Sequence, residues 1–79
     1  MIKVVVAEDK QIVSGGLKTI ISGFDGVEVV AVTGSSSSLL EFIKENPTDI
    51  VVLNYCSPGF KVEDIPVIKS INNTKVLAI

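Results

Sequence analysis

The stretch Ile2-Lys-Val-Val-Val-Ala-Glu-Asp9 decides the fold of this chain, because a run of mostly β-branched residues stops abruptly at two acids. Its nearly continuous apolar character is typical of a strand that is buried on both faces, as strands of parallel sheets are. From Ile12 the apolar residues recur at helical spacing as far as Ile21. Gly15 and Gly16 weaken this helix by roughly 1 kcal/mol each relative to alanine. We therefore expect a buried strand followed by a helix that depends on packing.

The same alternation continues along the chain. Further β-branched runs extend from Val27 to Val32 and from Ile50 to Leu53, and a fourth strand is predicted from Lys75 to Ile79. Strands that alternate with helices predict right-handed crossovers and a mostly parallel sheet with helices on both faces. We expect an α/β domain with a doubly wound sheet of four strands and three helices. Ligands of such sheets bind beyond the carboxyl ends of the strands.

The second and third helices are predicted from their first residues. The serines from Ser35 to Ser38 precede an apolar stripe, and Ser38 and Glu41 have the spacing of a capping box. This pattern favours a helix N-terminus over a flexible linker, which is the other use of a serine tract. A third helix is predicted from about Ile65 to Ile71, with Asp64 as its N-terminal cap.

Composition places the chain among small globular domains and excludes several kinds of site. The 79 residues are 47% hydrophobic and 20% charged, with a net charge of −2, which argues against a nucleic-acid clamp. A single cysteine excludes an internal disulfide, and the absence of histidine excludes a Ser-His-Asp triad and an ordinary zinc site. The sequence has neither an apolar run of membrane-spanning length nor a signal-peptide pattern, so we expect a cytoplasmic protein without a membrane contact.

Polar residues follow two of the predicted strands. Glu8 and Asp9 are a pair of carboxylates that suits Mg²⁺, and equally a solvated loop that caps the next helix. Asn54 follows the third run, which lies beside the first in the usual doubly wound order. By itself Asn54 is equally consistent with a turn residue whose amide binds nearby backbone.

Two weaker signals complete the list of candidates. The segment from Thr33 to Ser36 could bind an anion on backbone amides at a helix start, although helix capping explains it at least as well. Cys56 has no basic neighbour in sequence except Lys61, so an activated thiolate has little support.

Taken in chain order, these segments resemble the receiver domain of bacterial response regulators, and most closely the subgroup joined to LuxR/NarL-type helix-turn-helix domains. The similar segments are Val4 to Asp9, Ile12-Val13, Gly16-Leu17, Val27 to Ala31, Pro47 to Asn54 and Ser57 to Gly59. The resemblance covers residues 1–79, which would be a partial receiver-like domain truncated after the fourth strand, without an output domain. It implies a flavodoxin-like, CheY-like fold that is incomplete.

The resemblance also implies a role for each site residue. Glu8 and Asp9 would bind Mg²⁺, with the backbone carbonyl of Cys56 as a further ligand. The phosphate-accepting aspartate of the family falls on Asn54, so this position is degenerate. The Ser/Thr after the fourth strand and the Lys after the fifth strand have no counterpart in these 79 residues.

These departures bear on the chemistry that the resemblance implies. Phosphoryl transfer from a phosphohistidine needs an anionic oxygen as nucleophile, and the amide of Asn54 is neutral. A metal site that keeps two of three carboxylates should bind Mg²⁺ more weakly. We therefore expect a non-enzymatic signalling module of a two-component phosphorelay that acts through protein-protein contacts.

Two other functions stay open. The chain could be a fragment or variant of a DNA-binding response regulator, whose function is transcriptional control. It could instead be an enzyme or an anion-binding, flavodoxin-like module that uses the segment from Thr33 to Ser36.

The partners are predicted from a comparison with a complete receiver, which covers its sheet with five helices where these 79 residues supply three. Apolar side chains from Ile50 to Leu53 and from Val76 to Ile79 should be bare on one sheet face, and the fourth strand should be an open edge. We expect a homo-oligomer, in the simplest case a dimer, through this face and edge. A histidine kinase or an intact response regulator is a second kind of partner, and direct contact with nucleic acid is not expected.

Overall fold

The computed structural model describes residues 1–8, 10–53, 60, 63–71 and 73–78, and for residues 11 and 12 the backbone only. Strands and helices alternate along the described chain. The elements are β1 (Ile2–Ala7), α1 (Gln11–Ser22), β2 (Val27–Thr33), α2 (Ser36–Glu45), β3 (Ile50–Leu53), α3 (Asp64–Ser70) and β4 (Lys75–Ala78). This order confirms the predicted incomplete flavodoxin-like fold. Throughout the described segments, each helix is too short or too polar to cross a membrane.

The four strands form one parallel sheet with the order β2-β1-β3-β4. Parallel neighbours need a crossover connection, and the helices supply it. At the carboxyl ends of the strands, Ala7 pairs with both Thr33 and Leu53, and Leu53 pairs with Ala78. The four strands therefore end at the same level, and β1 and β3 are direct neighbours as predicted.

The strand β2 contains an irregularity. Val4 pairs with Val29 whereas Val5 pairs with Ala31, so Val30 has no partner in the register with β1. An extra residue of this kind is a β-bulge, and it changes which face the following side chains take. Ala31 consequently faces the same side of the sheet as Val5, with Val30 also packed against the core there.

The main core lies between the sheet and the pair α2 and α3. Its buried members from the strands are Val5, Ala7, Val51 and Leu53, and those from the rest of the chain are Leu39, Ile43, Phe60 and Ile68. The alternate residues of β1 and β3 face the opposite side, because successive side chains of a strand point to opposite faces.

That opposite side carries α1, which packs against β1 and β2. We call it the α1 face. The expectation that β3 and β4 lie bare is confirmed for Leu77, which is 57% exposed, and is wrong for Val52, which is 6% exposed. Val52 is a central-strand residue shielded by its neighbours on both sides, whereas Leu77 belongs to the edge strand. The predicted strand residue Ile79 lies outside the described residues.

Two predicted helix caps are wrong. The N-cap of α2 is Ser35, whose hydroxyl accepts the backbone N–H of Ser38 over 3.4 Å, so Ser38 lies inside the helix and forms no capping box with Glu41. The four serines are equivalent as cap residues, and Ser35 is the one with extended backbone. The residue before α3 is Glu63, with helical backbone angles and no side-chain cap, and Asp64 is the first residue of the helix.

Candidate functional site at the carboxyl edge of the sheet

The level ends of the strands bring the starts of all three helices to one edge of the sheet. Glu8 follows β1, Thr33 ends β2, and Asp64 begins α3. In doubly wound sheets this edge is where ligands bind. The polar groups of this edge are therefore the candidates for a binding site.

Glu8 is buried, with 2% of its surface exposed. Its backbone N–H donates to the carbonyl of Thr33 over 3.0 Å, which extends the contact between β1 and β2 by one residue. Its carboxylate Oε1 accepts the backbone N–H of Lys10 over 3.1 Å. Glu8 thus holds a carboxylate beside the N-terminus of α1, where the helix dipole favours negative charge.

The burial of Glu8 bears on the alternative that this acid pair is a solvated loop. A carboxylate at this depth is not solvated, so that part of the alternative is wrong for Glu8. The structure does support a capping role for Glu8. Lys10 is the N-cap residue of α1 and its side chain makes no cap. The Glu8 carboxylate accepts the backbone N–H of Lys10 instead. Asp9 lies outside the described residues.

Thr33 is 8% exposed, and its hydroxyl oxygen is buried without a hydrogen-bond partner among the described residues. Because Thr33 pairs with Ala7, its side chain faces the core below α2. Sequence patterns do not reveal this orphan hydroxyl, since threonine is common in strands and its partners depend on the tertiary structure.

The sequence offers the segment from Thr33 to Ser36 as a candidate anion site. Here the structure supports helix capping, because Ser35 accepts the N–H of Ser38 and also donates its hydroxyl to the Ser38 hydroxyl over 3.2 Å. One of the orphan N–H groups of the helix start is therefore used internally. This weakens the case for an anion cradle at this position.

A hydrogen bond that the sequence does not suggest joins two helix starts. The hydroxyl of Ser36 donates to Oδ2 of Asp64 over 2.6 Å, across 28 positions of sequence. The Asp64 carboxylate therefore lies between the first turns of α2 and α3, where both helix dipoles favour it. Only the crossover geometry of the sheet brings these residues together.

The predicted metal site is described in part. Glu8 lies where the sequence places it, whereas Asp9, Asn54 and Cys56 fall outside the described residues. Within the described segments, no group of three or more His, Cys, Asp or Glu side chains could hold a metal ion. By donor type the Glu8 carboxylate suits Mg²⁺, which takes oxygen ligands. The two residues expected to complete the Mg²⁺ site with it are not described.

A second feature lies on the α1 face. An apolar groove of about 270 Å³ runs between α1 and the uncovered side of β3 and β4. Its lining residues are all hydrophobic: Ile2, Val4, Leu17, Ile21, Phe24, Val27, Ile50, Val52 and Leu77. We call it the α1-side groove. A continuous apolar surface of this kind usually marks an interaction site in a soluble protein.

Comparison with known proteins identifies the fold. No protein-family model and no curated protein matches the chain. Among solved structures, the chain is similar to RcsB from Salmonella enterica serovar Typhimurium bound to promoter rprA in the presence of the phosphomimetic BeF3-. The TM-score is 0.88 at 19% identity, over 99% of this chain and 68% of the RcsB chain.

Two other structures give the same result. The response regulator domain of Thermotoga maritima CheB matches with a TM-score of 0.86 at 23% identity, over 99% of this chain and 59% of the CheB domain. A structure of the phosphorylated P1 domain of CheA3 in complex with CheY6 from R. sphaeroides matches with a TM-score of 0.76 at 17% identity. That match covers 98% of this chain and 82% of the other.

These likenesses show that the chain has the fold of response regulator receiver domains. The match covers between 59% and 82% of each neighbour's chain. The neighbours therefore contain further structure beyond the matched part. At identities of 17–23% the likeness concerns the fold.

Proposed function

We propose that this chain is a receiver-like signalling module of a two-component system. The observation that carries the proposal is the position of Glu8, a buried carboxylate directly after β1, in a fold that matches RcsB with a TM-score of 0.88. The strand beside β1 is β3, and Asn54 follows its last residue in sequence. The acid and the predicted acceptor position therefore belong to adjacent strands of one sheet.

We also propose that the module does not accept phosphate. A stable acyl phosphate needs a carboxylate oxygen, and Asn54 offers a neutral amide. The module would then act through protein contacts without catalysing a reaction, in the cytoplasm. The subgroup joined to LuxR/NarL-type domains is the part of the family that the sequence resembles most.

Mg²⁺ is proposed as a weak ligand of Glu8 and Asp9, together with the backbone carbonyl of Cys56. Of these groups, the Glu8 carboxylate is described, and one of its oxygens already accepts the Lys10 N–H. When bound, Mg²⁺ would offset negative charge next to the acceptor position. Two carboxylates instead of three predict low affinity.

Calorimetric titration with Mg²⁺ tests this arrangement. We expect weak binding to the wild type, tighter binding to Asn54→Asp, and loss of binding when Glu8→Gln is added to that variant. Asn46→Asp is the matched control, because Asn46 is an exposed asparagine at the far end of α2 and should leave the affinity unchanged. Equal affinities for Asn54→Asp and Asn46→Asp would contradict the proposed site.

Labelling with acetyl phosphate tests the acceptor position directly. The wild type should incorporate no phosphate, and Asn54→Asp should incorporate little because the chain as given carries no equivalents of the family's Thr and Lys. Stable labelling of the wild type would exclude the proposal. Robust labelling of Asn54→Asp would favour the second candidate function.

The proposed partners are proteins. The CheA3-CheY6 structure contains a receiver with a kinase domain, and the described chain has the same fold. For this chain we propose a histidine kinase or an intact response regulator as partner, and self-association through the exposed sheet face and the β4 edge. A direct contact with nucleic acid is not part of the proposal.

The second candidate function is transcriptional control, with this chain as a fragment or variant of a DNA-binding response regulator. The observation that favours it is the likeness to RcsB, which was solved on a promoter and of which this chain covers 68%. The reading frame after Ile79 decides between the two. A continuation into a Thr, a Lys and a helix-turn-helix segment supports this candidate, and a stop codon supports the first.

A further inference from the structure

The α1 face combines a ridge and a groove. The ridge is the helix α1 with the turn after it, and it lies over β1 and β2. Beside it is the α1-side groove, whose far wall includes Leu77 of the edge strand β4. In the described chain, no helix lies above β3 and β4 on this face.

Some apolar residues of the ridge pack against the sheet of their own chain, and others do not. Leu17 and Ile21 line the groove between α1 and the sheet. Ile20 and Phe24 are 64% and 61% exposed, so most of their surface contacts solvent instead of the core. A helix that served one sheet alone would place polar residues at such exposed positions.

We infer that a second copy of this chain covers the groove, with the ridge of each copy lying on the uncovered β3–β4 half of the other. This inference deepens the self-association part of the proposed function and rests on it. A ridge beside a groove is a self-complementary surface, because a two-fold axis places each feature of one copy opposite the other feature of its partner. Ile20 of one copy would then lie on the β3–β4 half of its partner, and Leu77 would lie beneath the partner's α1 helix.

The direction of the axis follows from the positions of the two features. The ridge and the α1-side groove lie side by side, in the direction that crosses the strands. A two-fold axis parallel to the strands therefore places the ridge of one copy opposite the groove of the other. The same rotation keeps the amino-terminal edge of one sheet opposite that of the other. The interface is therefore predicted to stack two sheets face to face, with the two α1 helices between them.

Charges at the rim of the patch fit this arrangement. Asp25 follows Phe24 at the end of the ridge, and Lys75 follows the turn that leads into β4, near Ile2 and Ile50. Both are exposed and both lie at the amino-terminal edge of the sheet. The two-fold arrangement places Asp25 of each copy opposite Lys75 of the other, so each dimer contains two pairs of opposite charge.

A specific dimer would cover a limited share of the surface of each chain. The chain exposes 4792 Å² in total. A standard interface buries about 800 Å² per partner, which is roughly a sixth of that surface. The core of the patch is apolar and charges lie at its rim, as in known interfaces.

Light scattering and sedimentation of the 79-residue chain, over micromolar to millimolar concentrations, test the inference. We expect a mass of twice 8.4 kDa for the wild type. Leu77→Ser and Ile20→Ser should each weaken the dimer at least about tenfold, since a buried aliphatic side chain is lost from the interface. Val67→Ser is the matched control, because Val67 is 45% exposed on α3, on the other side of the sheet.

Charge exchange tests the geometry itself. Asp25→Lys and Lys75→Asp should each weaken their own dimers, by about tenfold at low salt, because both rim pairs become like-charged. Mixed together, these two variants should form a heterodimer as tight as the wild type, since both pairs are then opposite. The double variant should also dimerise with itself and should not associate with the wild type.

The outcomes separate the two levels of the proposal. A monomeric wild type at every concentration overturns the self-association and this inference together. Two results would overturn the arrangement while the wild type still dimerises: equal effects of Leu77→Ser and Val67→Ser, or charge variants that show no preference for each other. Self-association would then use another surface. Circular dichroism of each variant confirms that it is folded.

Discussion

The hydroxyl of Ser36 and the carboxylate of Asp64 lie 2.6 Å apart and join the first turns of α2 and α3. A hydrogen bond to a charged group is shorter and stronger than one between neutral groups. Ser36→Ala should therefore lower the free energy of unfolding by about 1–2 kcal/mol. Ser37→Ala is the control, since Ser37 is exposed one position further along the same helix. Urea unfolding measures both, and equal losses would contradict a specific role for this bond.

The buried hydroxyl of Thr33, which has no hydrogen-bond partner within the described part of the chain, gives a prediction of opposite sign. A buried polar atom without a partner lowers stability, and valine has nearly the same shape as threonine. Thr33→Val should raise the free energy of unfolding by about 1 kcal/mol. Thr33→Ser retains the hydroxyl and removes a methyl group, so it should be less stable than the wild type. Thermal unfolding of the three proteins gives their order, and a destabilised valine variant would show that the hydroxyl has a partner.

Two glycines should respond in opposite directions to alanine. Gly16 lies within α1, and a Cβ atom added there meets nothing within 4 Å. Gly16→Ala should therefore stabilise the chain by about 0.5–1 kcal/mol. Gly26 has a φ of +78°, which alanine adopts only with strain, so Gly26→Ala should destabilise by about 1 kcal/mol or more. Urea unfolding measures both variants. If their midpoints shift in the same direction, either the helical position of Gly16 or the positive φ of Gly26 is contradicted.

The two faces of the sheet should differ in sensitivity. Leu53 is fully buried in the main core, whereas Leu77 is 57% exposed in the groove. Leu53→Ala should cost about 2–5 kcal/mol of stability, as core leucines do. Leu77→Ala should cost about 1 kcal/mol or less in the isolated chain, because little of its surface is removed from water there. Similar losses at the two positions, measured under conditions where the chain is monomeric, would contradict the exposure of Leu77.

The element order could be predicted from the sequence because it depends on local patterns. The β-branched runs at Val4 and Val51 and the helical spacing from Leu39 to Ile43 are short-range signals, and each element forms where its pattern lies. The choice of Ser35 over Ser38 as a cap was not predictable, since both have the same chemistry and only backbone geometry separates them.

The candidate site was predictable to a smaller extent. Sequence placed Glu8 after the first strand, but its burial and the bond from its N–H to the Thr33 carbonyl arise only once β2 lies beside β1. The contact between Ser36 and Asp64 spans 28 positions, and no local pattern encodes it. Long-range contacts of this kind arise from topology, so a single sequence leaves them undetermined.

The unpaired Val30 has a consequence for how β2 tolerates change in length. Before it, Val29 matches Val4 and faces α1, and after it, Ala31 matches Val5 and faces the opposite layer. Odd-numbered residues of one strand thus serve two layers, which a regular strand cannot do. Deleting Val30 would remove the extra residue, so that a regular strand would pair Val29 with Val4 and Ala31 with Val5 and keep both halves in their present layers. For its pairing with β1 this strand therefore has one residue to spare, and what the fold would lose with Val30 is the contact of its side chain with the core.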